Sequence, residues 1–135
     1  MSRRVEFDEL EVVDNTKHHH AGAPFTGIAY ETALGGWLTE EMTFVEGIQT
    51  GVAREFDREG KVIVEEHYLS GKLHGQRKKW HPNGQLTNDE KYEFGTLVAA
   101  NRWDEKGTAL SPFVLQAGDP RWAEIERHRK ILRGE

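Results

Sequence analysis

The chain has 135 residues, enough for one domain with a modest core. A formal net charge of −5, with charged residues at 30%, speaks against nucleic acid as a partner and suits a basic protein. There is no cysteine, which excludes disulfides and thiolate metal sites, and no apolar run reaches the roughly 20 residues of a membrane helix.

Residues 1–22 form a lead segment, with one strand expected from Val5 to Val13 and a polar stretch, Asp14 to Lys17, behind it. Arg3 and Arg4 resemble the start of a secretory signal, but Glu6, Asp8, Glu9 and Glu11 stand where an apolar run would follow. A cytoplasmic protein is therefore expected. His18-His19-His20 invites a metal, yet no further ligand stands at a familiar spacing, so a solvent-facing loop is expected and no metal.

From residue 23 to about 110 the chain repeats itself. Gly27, Gly51 and Gly75 recur every 24 residues, as do Gly36, Gly60 and Gly84, then Gly47, Gly71 and Gly95. Phe44, Tyr68 and Tyr92 keep the same interval. Such a period means one supersecondary unit copied along the chain. Within a unit, Val52 to Phe56 and Lys61 to Leu69 alternate with a period of two, which argues for strands. Asp57 to Gly60 and His81-Pro82-Asn83-Gly84 carry turn chemistry, and Gly71 to Gly75 is expected to reverse the chain into the next unit. The fold class is therefore mainly β, a single-layer antiparallel meander of repeated hairpins followed by a C-terminal α-helix.

Alternation divides the meander into two faces. Leu38, Val62 and Leu86 with Phe44, Tyr68 and Tyr92 should form a buried apolar stripe. Val62, Val64, Glu66 and Tyr68 share that side, whereas Glu41, Glu65 and Asp89 fall on the wet one. Phe56, Trp80 and Trp103, with Tyr30 loosely, give a further aromatic column, the last step shortened to 23. Residues 111–135 form a loop, Ser111 to Asp119, then a helix entered at Pro120 with Asp119 as its cap. Trp122, Ile125, Arg129 and Leu132 fall on one side of that helix, which should cap the array or cover part of its apolar face.

The segments GKLHGQRKKWHPNGQL and FDREGKVIVEEHYLSGKLHG resemble the MORN-repeat variant of the YwqK-type family of bacterial antitoxins. The stretch APFTGIAYE, Ala23 to Glu31, is similar to the entry of the first repeat in such proteins. Ala99 in place of a glycine, an incomplete fourth unit and an irregular first turn (Thr32 to Gly36) depart from the pattern. The resemblance implies a sheet of hairpins and a role in neutralising a cognate toxin. An ordinary MORN-type scaffold or membrane-proximal adaptor is the alternative.

No phosphate loop, nucleophile elbow or Ser/His/Asp set is present, so catalysis and cofactors are not expected. Copies of the acid column Glu41, Glu65, Asp89 should lie about 10 Å apart, too far to share a reacting bond as paired acids. These acids read instead as a surface for the basic cleft of a toxin, together with Glu66 and Glu90, with no nucleic-acid or membrane partner. Open sheet edges would allow a homodimer.

Overall fold

The computed structural model describes residues 3–135. β1 (Arg4–Glu6) is followed by a single 3-10 turn, Phe7–Glu9, and then by β2 (Glu11–Val13), β3 (Lys17–His20) and β4 (Ala23–Pro24). The repeats supply β5 (Gly27–Thr32), β6 (Leu38–Val45), β7 (Ile48–Phe56), β8 (Val62–Leu69), β9 (Lys72–Trp80), β10 (Leu86–Glu93) and β11 (Thr96–Arg102). These pair antiparallel in chain order, with β1 added parallel to β5 at one edge and β12 (Phe113–Val114) added to β11 at the other. Among the described residues the result is a nine-stranded sheet whose middle, β5 to β11, is an antiparallel meander, with β2, β3 and β4 in a separate small sheet. No helix among the described residues is long and apolar enough to cross a membrane.

Two kinds of reversal alternate. Glu46-Gly47, Ser70-Gly71 and Phe94-Gly95 are two-residue turns with both φ values positive, 48 and 83, 48 and 85, 49 and 84. That geometry matches the twist of the flanking strands. The reversal expected over Gly71 to Gly75 is thus only Ser70-Gly71, and Gly75 already lies inside β9. Gly51 occupies the equivalent place in β7, with φ +108 and the Thr43 methyl carbon 3.2 Å from where a Cβ would stand. Both glycines mark register skips in the sheet rather than turns.

The longer turns are built alike. Asp57 N donates to Lys61 O at 2.8 Å and Gly60 N to Asp57 O at 3.0 Å; His81 and Asp104 repeat the pattern with Gly84 and Gly107. Thr32 to Gly36, irregular in sequence, makes the same two bonds, Ala33 N to Trp37 O at 2.9 Å and Gly36 N to Ala33 O at 2.8 Å. Backbone closure with a left-handed glycine last is what this turn requires, and the side chains before it are free to vary.

The lead segment corrects the sequence reading. Val5 to Val13 is not one strand, because the 3-10 turn splits it between two sheets. Asp14 and Asn15, at φ 54 and 57, form the turn of a β2–β3 hairpin. The histidine run is therefore a strand with half-buried side chains and not a solvent-facing loop. The His18 ring lies 5.7 Å from Phe7 and 4.8 Å from Phe44, and its backbone bonds both Gly47 and Phe25.

That packing locates the core. Phe25, Ala29, Met42, Phe44 and Ala53 form one buried cluster under the lead segment. Val98, Leu115 and Ile125 form a second at the opposite end, under α1 (Arg121–Leu132). Asp119 caps α1 by accepting from Arg121 N at 2.9 Å, and Pro120 already has helical φ, −56. Ile125 is 1% exposed, Arg129 holds Glu93 at 2.6 and 2.8 Å, and His128 stacks on Phe94. Leu132 departs from the expected stripe and is 60% exposed. The predicted continuous apolar stripe is also not found: Leu38, Val62, Leu86, Tyr68 and Tyr92 are only half-buried. A single-layer sheet is dry only where something lies on it, and the two covers reach only its ends.

Candidate binding faces of the sheet

The strands align side chains into rows that run across the sheet. One row reads Tyr30, Glu41, Arg54, Glu65, Lys78, Asp89, Asn101, each paired with the next in register. From Glu41 to Asp89 the sign alternates at every strand. Arg54 Nε donates to Glu65 Oε2 at 2.9 Å, and Arg4 pairs with Glu41 while lying over the Tyr30 ring. The acid column foreseen in the sequence therefore exists, but a basic column is threaded between its members. Cross-strand pairing of opposite charges stabilises such a row modestly and leaves it nearly neutral.

Glu66 and Glu90 do not belong to that surface. They lie on the opposite face, in the row Ala29, Met42, Ala53, Glu66, Arg77, Glu90, Ala100. This row is apolar beneath the end covers and ionic between them. Arg77 donates to Glu66 at 2.6 Å and to Glu90 at 2.9 Å, and Arg102 closes the chain on Glu90 at 2.7 Å. Glu90 is only 3% exposed. Burial pushes its carboxyl up, but the hydrogen bonds from Arg102 and Arg77 outweigh that and hold it below the ordinary carboxylate range. These two acids are committed to the fold and offer no free charge to a partner.

A third row was missed from the sequence. Glu31, Glu40 and Glu55 stand abreast on β5, β6 and β7. Burial, reinforced by Glu31 and Glu55 alongside, pushes the Glu40 carboxyl up to about 7. The 24-residue period compares equivalent strands and so could not reveal neighbours on adjacent ones. Among the described residues, no three His, Asp or Glu side chains converge into a metal-holding set.

The family model described as the MORN repeat variant matches the chain twice, over residues 49–70 and 73–94. Each match is one long hairpin, β7–β8 or β9–β10, with its four-residue turn. No curated protein matches the chain. Among solved structures, the crystal structure of accessory secretory protein 1, 2 and 3 in Streptococcus pneumoniae is similar at a TM-score of 0.40 and 12% identity. That likeness covers 92% of this chain and 23% of the other. The two hairpins β7–β8 and β9–β10 are thus similar to MORN-variant repeats.

Proposed function

We propose that these repeats make a non-catalytic binding protein that neutralises a cognate bacterial toxin in the cytoplasm by direct contact. The observation that supports this most is the outer row Glu41–Arg54–Glu65–Lys78–Asp89, a flat, repeated band of alternating charge carried on paired strands. Alternating rows favour register and specificity over raw affinity, which suits a protein that must recognise one partner. On this reading Glu41, Glu65 and Asp89 contact the toxin's basic cleft, exchanging Arg54 and Lys78 for the toxin's own cations. Glu66 and Glu90 have no part in it.

The test is co-expression with the toxin-like product of an adjacent gene, scoring growth. Wild-type protein should protect, Glu65→Lys with Asp89→Lys should not, and circular dichroism should show the variant folded. Full protection by that folded variant would remove the outer row from consideration. A scaffold or membrane-proximal adaptor is the second reading, supported by the repeat type alone. Sedimentation with anionic vesicles, together with absence of protection, would favour it.

A further inference from the structure

The aromatic column Phe56, Trp80, Trp103 does not sit inside either core cluster. All three side chains are half-buried. Trp80 and Trp103 line one open cleft of about 440 Å³ with Ile63, Lys79, His81 and Pro82. Neither indole N–H donates to the protein among the described residues, in contrast to that of Trp122, which reaches Leu115 O. His81 Nε2 is buried there without any hydrogen-bond partner. Lys79 forms no ion pair among the described residues, since the acids Glu66 and Glu90 are held by Arg77 and Arg102. The cleft thus joins flat apolar walls, unspent ring nitrogens and an uncompensated cation.

Spacing identifies the ligand. Phe56, Trp80 and Trp103 stand on or just beyond β7, β9 and β11, so their backbone positions are two strand separations apart across the sheet, about 9.5 Å. A polyproline II helix turns once every three residues and advances about 9.3 Å in doing so. Its rings pack between aromatic walls, and its carbonyls are free to accept hydrogen bonds because the helix has no internal ones. The geometry points to a second binding site, the Trp80–Trp103 cleft, for a proline-rich extended segment carrying acidic residues. The segment crosses the strands, prolines seat against Trp80, Pro82 and Trp103, indole nitrogens donate to its carbonyls, and Lys79 meets its carboxylates. This site is separate from the outer charge row, and its failure would leave the toxin-binding reading standing.

The test uses the full chain labelled with ¹⁵N and a synthetic peptide of Pro-Pro-Glu repeats. Saturable shifts confined to the Trp80 and Trp103 indole signals, with Trp37 and Trp122 unmoved, are expected. Trp80→Phe and Trp103→Phe keep the ring and remove the donor, and each should weaken binding about tenfold. Lys79→Glu should lose the Pro-Pro-Glu peptide and gain a Pro-Pro-Lys one, an exchange that a merely destabilised variant would not show. Absence of saturable shifts at millimolar peptide would overturn the proposal. So would equal shifts from a Gly-Ser-Glu peptide, or saturation by a chitin oligosaccharide where the proline peptide gives none.

Discussion

Glu40 offers the sharpest energetic test of the row geometry. Its carboxyl stands between Glu31 and Glu55 on neighbouring strands and is raised from 4.5 to about 7 in the folded protein. Between those values the folded chain keeps a proton that the unfolded chain has lost. Glu40's contribution to stability must therefore fall as pH rises from 4.5 to about 7 and level off above that. Fully expressed, the change would amount to about 3 kcal/mol. Glu40 is only half-buried, so water screens the repulsion and about 1–2 kcal/mol is the magnitude to look for. Glu40→Gln removes the charge and keeps the shape. Urea unfolding followed by tryptophan fluorescence, at about pH 4 and about pH 8.5, should show the variant gaining stability only at the higher value. An equal effect at both, or destabilisation at high pH, would refute the stacked-carboxylate argument.

Other substitutions probe the turns, the ion chain and the helix. Gly51→Ala places a Cβ 3.2 Å from the Thr43 methyl at φ +108 and should cost about 1–3 kcal/mol, whereas Gly60→Ala, with nothing within 4 Å, should cost about 1. Denaturation midpoints compare the two directly. Arg77→Met leaves the buried Glu90 with Arg102 alone and should cost about 2–4 kcal/mol in the same assay, while the exposed Arg58→Met should cost little. Ile125→Ala opens the second core cluster and should lower stability by about 2–5 kcal/mol. Leu132→Ala, at a site 60% exposed, should stay within about 0.5 kcal/mol on thermal melting.

The period in the sequence located the repeated hairpins, because glycine is needed at the same backbone places in each copy and aromatic residues return with it, but it placed in a turn the Lys72 to Gly75 stretch that belongs to β9. The helix was equally readable, since Asp119-Pro120 combines a side-chain cap with a pre-set φ. What a period cannot carry is the relation between adjacent strands. Register skips beside Thr43 and His67 set which residues face each other, and they placed Arg54 and Lys78 between the acids. They also brought Glu31, Glu40 and Glu55 abreast. Alternation did place Glu66 with Tyr68, but grouping it and Glu90 with the outer acids ignored that the two faces never meet. The histidine run was misread because its polarity suggested solvent, whereas each imidazole is flat enough to pack. His18 does so against Phe44. The extent of the core was not readable at all, since it depends on how far the lead segment and helix reach across the sheet.

All of this rests on the outer row crossing the strands in the stated register. Amide-to-amide and α-proton contacts in a nuclear Overhauser spectrum measure that register without perturbing it. The account predicts cross-strand contacts joining Arg54 with Glu65, Glu65 with Lys78 and Lys78 with Asp89. Contacts displaced by one residue at any of these steps would move the acids to the other face and contradict it.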